Sequence, residues 1–494
     1  MNRAVRCFFF ALSVLYIVSC TPAGDDDPVV DNIAGTDNAA QNDDATGNDT
    51  STDNPAATDE DQVDLPDVDM AQCAPGETDE CYHGPSGSKG RGECKAGSAT
   101  CGASGYWGDC IGEVLPKPEI CNDGIDQNCD GEDGTEENTF DYDQDGYTYC
   151  TGDCCEFESE CPHPELASPS GYDFPGNGVD DNCNGAVDEV DACDTGLGQD
   201  STDPIDMAKS IDLCPKPADR EYGLLTAAIS LADGSGAPLP VQHKIFPGFG
   251  NVIAPHTGGS FLMLSSGTAG NPYTSTEEDL TQNSSAPADW YQANGSQFPS
   301  SPGCGGGEAG TEPVNDPIML TLTAKVPMNA RAFSLDIYFF SREFPEYVCE
   351  FNDFFVVLLD SAHTSSDPAL QNPADKNLAM DENGNPVGIN LAPAGLFRVC
   401  CQTGFDCYTD PFKNYGQYCT LGPGELAGTG LFETGSKEGG TGWLVTKGNV
   451  VAGEEITIRL AIWDTKDNVL DSMVLIDNFT WLPKEVKPGT SIQE

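Results

Sequence analysis

Apolar residues fall at every second position in two long stretches of the C-terminal half. Phe333, Leu335, Ile337 and Phe339 alternate in RAFSLDIYFF, and Ile456, Ile458, Leu460 and Ile462 do the same in EEITIRLAIW. Alternation of this kind marks a strand with one buried face, because successive side chains point to opposite sides of a sheet. Phe354–Leu359 is apolar throughout, as suits a strand covered on both faces, and MVLIDNFTW closes the region. The rhythm of amphipathic helices is hard to find. The pattern predicts a mainly β chain in which residues 215–487 form an antiparallel β-sandwich.

The N-terminal half is patterned differently. Met1–Arg6 carries two arginines and no acid, and an apolar run from Cys7 to Val18 follows, too short to span a bilayer as a stable helix. Ile17-Val18-Ser19-Cys20 resembles the bacterial lipobox, a branched apolar residue and small residues before an acylated cysteine. Residues 1–20 are therefore read as a lipoprotein signal peptide, with Cys20 as the lipidation site and the acyl chains as the membrane attachment. The expected location is the outer membrane or cell surface, outside the cytoplasm. Residues 21–72 hold no Lys, Arg or Cys and many Asp, Asn, Thr and Ala. So little apolar surface cannot offset ordering entropy, and this stretch is read as a disordered acidic linker.

From Cys73 to Cys214 the texture becomes cysteine, glycine and aspartate with few large aliphatics. Such a region needs staples. Residues 73–115 read as a small Cys-rich module around Cys73, Cys81, Cys94, Cys101 and Cys110, and residues 116–214 as Asp/Cys repeats; together they predict an irregular, disulfide-rich stalk. Setting Cys7 and Cys20 aside, the 22 cysteines leave an even number, which in an exported chain favours disulfides over free thiols. Cys304, Cys349, Cys400, Cys401, Cys407 and Cys419 lie in the β region, so two separate disulfide sets are expected. The formal net charge of −59 argues against nucleic acid and anionic lipid as partners and is compatible with cation binding.

The most specific chemistry lies in aspartate-rich loops. Residues 126–137, D-Q-N-C-D-G-E-D-G-T-E-E, match the calcium-loop pattern D-x-[DN]-x-[DN]-G-x5-E. Asp126, Asn128 and Asp130 supply oxygens at positions one, three and five, Gly131 permits the sharp turn, the carbonyl of Glu132 falls at position seven and Glu137 closes the shell. A second copy starts at Asp180 with Asn182, Asn184 and Gly185; Asp191 replaces the closing glutamate, with Asp188 or Glu189 as substitutes. The shared G-[IV]-D-x-N-C-[DN]-G makes this an internal repeat. Between the copies, D-Y-D-Q-D-G-Y places Asp141, Asp143, Asp145 and Gly146 in the same spacing. Its twelfth residue is Gly152, so closure falls to Asp153 or Glu156. No amphipathic helix flanks the loops, so they are not an EF-hand pair. Oxygen donors at this spacing point to Ca2+ as the bound ion, in a structural role; the alternative is that these are hydrogen-bonded Asx turns needing no ion.

Two family resemblances rest on these and later residues. E-I-C-N-D-G-I-D-Q-N-C-D-G (Glu119–Gly131), followed by D-Y-D-Q-D-G-Y-T-Y-C-T-G-D-C, resembles a metal-binding motif of bacterial surface proteins, in a family named partly for a copper-binding member. The resemblance spans about residues 73–195. Copper prefers imidazole and sulfur ligands, and only His83 and His163 fall there. S-R-E-F-P-E-Y-V-C-E-F-N-D-F-F (Ser341–Phe355) and the segment Thr441–Phe479 resemble the choice-of-anchor L domain family, over most of residues 215–485. That resemblance implies an extracellular β-rich domain found on proteins with varied surface anchors. No sorting tail follows it, so the lipid on Cys20 is expected to serve as anchor, and Arg342 stands where the family usually has an acid. Glu343, Glu346, Asn352, Asp353 and Asp477 are polar residues beside apolar strands; they either gather around a cation or make turn and edge hydrogen bonds.

The sequence holds no G-x-S-x-G, no H-E-x-x-H and no phosphate loop, and it has 5 histidines. The expectation is a non-enzymatic, lipid-anchored surface protein whose calcium-stabilised repeats present a β-sandwich for adhesion or recognition of an extracellular protein or glycan. Two alternatives stand beside it: a transition-metal (copper) binding surface protein, and a carbohydrate-binding or carbohydrate-active module.

Overall fold

The structure is a computed structural model. It describes residues 73–494 apart from 86, 118–122, 130, 132, 134–139, 190–191, 219, 275–279, 300–303, 305–312, 401–418, 432–437 and 494. Before residue 73 it describes only the backbone of Cys7–Phe8 and Ser19–Cys20, which pair antiparallel. The linker 21–72, the side chain of Cys20, and Asp130, Glu132, Glu137 and Asp191 lie outside the described residues. The chain divides into two units, Met1–Met70 and Ala71–Glu494. All the other strands and helices belong to the second unit.

Two short strands, β1 (Thr78–Cys81) and β2 (Gly97–Thr100), pair antiparallel near its start. Cys73–Cys101 and Cys81–Cys110 staple them, and Cys94–Cys129 ties them to the first Asp loop. Further bridges join Cys154–Cys183, Cys155–Cys161 and Cys193–Cys214, and in the β region Cys304–Cys349 and Cys400–Cys419. No described bridge crosses between the two sets, as the even counts predicted.

The remaining strands make two antiparallel sheets. One contains β3 (Gly223–Ser230), β7 (Val314–Lys325), β13 (Glu455–Asp464) and β9 (Phe354–Asp360) side by side, with β6 (Asn283–Ser284) also on β7. The other runs β4 (His243–Phe246), β5 (Phe261–Ser265), β14 (Ser472–Leu482), β8 (Ala332–Ser341), β11 (Gly439–Gly440) and β10 (Val399–Cys400). In this sheet β12 (Leu444–Asn449) also pairs with β8, and β15 (Gly489–Ile492) with β12. The alternating residues face inward between the sheets: Leu335, Ile337 and Phe339 on β8 share one core with Ile456, Ile458, Leu460 and Ile462 on β13. Each fully buried side chain of this size contributes about 1.5–3 kcal/mol. The predicted β-sandwich is present, and the continuous apolar run Phe354–Leu359 is buried on both faces. Its other face, with Phe354, Val356 and Leu358, packs with Trp463 under the short helix α2 (Ala288–Ala293) and its Trp290.

The core also draws in residues before 215. Asp203 caps the short helix α1 (Pro204–Lys209) by accepting from Ile205 N–H, and Pro204 fits the first turn. Met207, Ala208, Ile211 and Leu213 from this segment, and Phe174 ahead of it, belong to the main core. Asn329, in the β7–β8 turn, clamps the chain further upstream. It accepts from Tyr172 N–H at 2.8 Å and donates to Leu166 O at 2.7 Å. The Asp/Cys segment is thus packed on the sandwich rather than strung out below it. Among the described residues no helix is long and apolar enough to cross a membrane.

Candidate metal centre

Three loops, at 126–131, 141–146 and 180–185, share the same backbone features at their fourth and sixth residues. The fourth residue of each is left-handed: Cys129 (φ 63°), Gln144 (φ 66°) and Cys183 (φ 57°). The sixth is glycine with φ of 106°, 102° and 92°, a region that side chains rarely enter. In each the first aspartate reaches across the turn and accepts from that glycine N–H. The distances are 2.9 Å for Asp126–Gly131, 3.1 Å for Asp141–Gly146 and 2.8 Å for Asp180–Gly185. Where the third and fifth residues of the two later loops are carboxylates or amides, they accept from the backbone two residues on, folding the loop around its own interior. The spacing in the sequence therefore produces the loop it implies.

Among the described residues the middle loop is the best-formed site. Asp143 Oδ1 accepts from Asp145 N–H at 3.1 Å, and Asp145 Oδ1 from Tyr147 N–H at 2.8 Å. A 3-10 turn at Tyr149–Thr151 then reverses the chain, ending on Gly152 with φ 98°. Gly152, which spoils the twelve-residue pattern, is what delivers Asp153 back toward the loop. Asp153 Oδ1 accepts from Cys155 N–H at 2.9 Å, and Glu156 Oε2 from Tyr142 N–H at 2.8 Å. One oxygen of each carboxylate is thereby fixed by the backbone. The other is not: Asp143 Oδ2, Asp145 Oδ2, Asp153 Oδ2 and Glu156 Oε1 are buried without a hydrogen bond. These residues group in two overlapping sets, Asp141–Asp143–Glu156 and Asp143–Asp145–Asp153. Within each set one carboxylate oxygen per residue lies within 4.8 Å of the others.

Leaving several buried carboxylate oxygens unpaired is costly unless a proton or cation joins them. Burial pushes the Asp143 carboxyl up to about 6 and Asp153 to about 7, and raises Asp145 as well. The donors are all oxygen, from flexible carboxylates, which suits a hard ion such as calcium. No histidine or free thiol joins these sets. Where imidazole or sulfur does approach acids, at His83–Cys110–Glu113 and Asp153–Cys154–Cys183, the cysteines are in disulfides with Cys81 and with each other.

The other two loops are closed differently. Asp126 Oδ1 is buried and unpaired, and Asn128 is half-buried in the same turn. Asp133, which the loop pattern does not single out, reaches back to Gly124 N–H at 2.6 Å. In the last loop Asn182 donates to Glu189 at 2.9 Å, and Asn184 donates to the same carboxylate oxygen. Asp188 accepts from Asn177 N–H and Gly178 N–H. It ties a neighbouring turn and does not point into the loop's centre. Of the two closing candidates for the middle loop, Asp153 and Glu156, the structure brings in both rather than one. Their signal in the sequence is position alone, twelve to fifteen residues past Asp141 among cysteines.

Of the acids expected near the β-strands, Glu343, Asn352 and Asp353 come together at one end of the sandwich and are almost wholly buried. Glu346 is exposed. Asp477 lies elsewhere, paired across the strands with Asp336, and accepts from His256 N–H at 2.6 Å. Asp464 joins the first group, and the sequence pattern alone does not mark it as a site residue. A signal is present all the same: it continues the inward series Ile456, Ile458, Leu460, Ile462.

Comparison with known families agrees with both resemblances over narrower spans. Residues 318–480 match the model of the Choice-of-anchor L domain, and residues 116–134 and 166–189 match the model described as "Putative metal-binding motif". The middle loop and its closing acids fall between the two matched segments. No curated protein and no solved structure matches the chain at a significant level.

Proposed function

We propose that this chain, with its choice-of-anchor domain and metal-binding motif, is a non-catalytic, lipid-anchored cell-surface protein. In this reading calcium at the 141–156 site orders the Asp/Cys segment against a β-sandwich that serves adhesion or recognition. The observation that carries the metal assignment is the set of four buried oxygens, on Asp143, Asp145, Asp153 and Glu156, each left unpaired while its partner oxygen is fixed by the backbone. Calcium would be held by these residues with Asp141, and it would supply the positive charge that lets all of them ionise together.

The site also touches the sandwich. Gln144 and Asp145 line a cleft with Met328, Asn329, Arg331 and Lys484. Filling the loop would therefore stiffen its seat on the β7–β8 turn, and an ion that binds only the folded chain stabilises it by mass action. The presentation role and the anchor on Cys20 rest on the sequence pattern and on the family match, which suggests a cell-surface protein.

The deciding experiment is metal analysis of the chain purified from its own host, followed by thermal melts of the full chain with chelator, with calcium and with copper. Calcium at one or more per chain, with a melting temperature that falls on chelation, supports the proposal. Stoichiometric copper, or a melt indifferent to calcium, would sink the calcium part and favour the transition-metal reading.

A further inference from the structure

A second acidic cluster lies inside the β-sandwich, far along the chain from the Asp loops. At one end of the sandwich, β8 stops at Ser341, β13 at Asp464 and β5 at Ser265, while β9 starts at Phe354 and β14 at Ser472. The chain ends meeting there are polar and closed off from solvent. Ser265, Ser341 and Ser472 are fully buried, Asp353 and Asp464 are each 1 % exposed and Glu343 is 2 % exposed.

Hydrogen bonds account for only part of this polarity. Asp353 accepts from Thr465 N–H at 3.2 Å and from Ser472 Oγ at 2.7 Å. Ser266 Oγ in turn accepts from Ser472 N–H at 2.9 Å. Asp464 is buried with no backbone hydrogen bond to either oxygen and only Ser266 and Asp353 beside it, and Oε2 of Glu343 is buried without a hydrogen bond. Asp353 and Glu343 stand close enough to Asp464 to raise its carboxyl, after burial itself. Lys466, whose charge slightly offsets the rise of the Glu343 carboxyl, donates to the carbonyl of Glu350. Among the described residues no basic side chain pairs with any of the three acids.

Three carboxylates buried together without a counter-charge are held either by protons or by a small cation. We propose that Glu343, Asp353 and Asp464 form a second, internal calcium site, which pins the 342–353 segment to the ends of β13 and β14. The oxygen donors on hand, carboxylates with serine and threonine hydroxyls beside them, are those a hard divalent ion takes. The three acids do not converge as tightly as the loop carboxylates. Occupancy therefore draws the segment carrying Glu343 and Asp353 toward Asp464, and closure of that segment becomes a readout of its own.

The test uses the full chain and two variants. In the first, Asp143→Asn with Asp153→Asn disables the loop site; the second adds Asp464→Asn. Calcium is titrated by calorimetry, and terbium luminescence is excited through tryptophan, since Trp463 adjoins Asp464. Hydrogen exchange is followed over residues 342–353. The expected result is that the loop-disabled chain still binds calcium, shows sensitised terbium emission and gains protection in 342–353. Adding Asp464→Asn should weaken that binding about tenfold or more. If the loop-disabled chain binds no calcium, or Asp464→Asn leaves its binding unchanged, the cluster holds protons only and the proposal falls. Should Asp464→Asn fail to fold, Glu343→Gln replaces it, read by the same exchange experiment. The two sites fail separately: where the loop-disabled chain binds calcium, a wild-type chain that binds no more of it refutes the loop site and leaves this one standing.

Discussion

The loops at 141–146 and 180–185 have the same backbone and opposite chemistry. Both put a left-handed residue fourth and a glycine sixth, and both close on that glycine through the first aspartate. In the earlier loop the third and fifth residues are aspartates, each keeping one free buried oxygen, and Asp153 and Glu156 arrive with one more apiece. In the later loop those positions are Asn182 and Asn184. Their oxygens accept from the chain and their amides point at Glu189. Hydrogen bonds chiefly from Asp173, then from Asn182 and Asn184, hold Glu189 down at about 2, while burial and Glu189 itself push Asp173 up to about 7. There two amides meet Glu189 Oε1 and its Oε2 stays buried without a hydrogen bond, whereas four acids each keep such an oxygen at the middle loop. The turn is a backbone device, and in the proposed reading the closing residues decide whether it takes an ion.

The strongest way to break this comparison is to remove what the two loops share. Cys154, one residue past Asp153, is bonded to Cys183, the left-handed residue of the later loop. Replacing both by alanine should destabilise the chain by about 2–5 kcal/mol. The midpoint of denaturant unfolding measures this, and the loss should be larger than for any single loop acid. Next in size is the difference in ion binding. Asp143→Asn with Asp153→Asn should weaken calcium binding at least tenfold, about 1.4 kcal/mol or more. Asn182→Ala with Glu189→Gln should leave it within a factor of about two of wild type. Calorimetry on the two double variants checks both numbers, and equal losses would erase the distinction between the loops.

How much of this was legible in the sequence differs by region. The sandwich was, because period-two alternation in RAFSLDIYFF and EEITIRLAIW survives into the inward faces of β8 and β13. The loops were too, since D-x-[DN]-x-[DN]-G fixes local hydrogen bonds within six residues. How the middle loop is closed was not. The strict twelve-residue match at 126–137 favoured the first copy, whose Asp130, Glu132 and Glu137 lie outside the described residues; at the middle loop Asp153 and Glu156 arrive after a 3-10 turn that no linear template describes. The packing of Phe174, Met207 and Ile211 into the sandwich core was equally hidden. Isolated apolar residues in a Cys-rich stretch show no periodicity, and only tertiary contact reveals their face.

A pH experiment sharpens the contrast at smaller scale. In the chelated chain the folded Asp143 and Asp153 carboxyls stand at about 6 and 7 because they are buried, above the aspartate range of an unfolded chain. A group raised on folding binds its proton more tightly in the native state. Its contribution is therefore complete below about pH 4 and lost as pH rises through about 6 to 7. With chelator present, the melting temperature of the native chain should fall by a few degrees across that window relative to the Asp143→Asn, Asp153→Asn variant. Saturating calcium should flatten the difference, since the ion then replaces the protons. Parallel pH profiles for the two chains in chelator would contradict the burial of these acids.

The smallest expected effect isolates the backbone. The fourth residue is left-handed in all three loops, but only Cys129 and Cys183 are held there by disulfides. Gln144 adopts φ 66° without a covalent pin. A left-handed glutamine is disfavoured by about 1–2 kcal/mol, because its Cβ crowds the following carbonyl. Glycine removes that cost and adds back about 0.5–1 kcal/mol through greater freedom in the unfolded chain. Gln144→Gly should therefore stabilise the chelated chain by about 0.5 kcal/mol, a rise in melting temperature of roughly 1–2 °C. Gly146→Ala is the reverse case. No atom lies within 4 Å of a Cβ placed there, so its destabilisation would come from φ 102° alone. If Gln144→Gly lowers stability instead, the middle loop draws support from its glutamine side chain, and the three loops are not equivalent backbones differing only in what closes them.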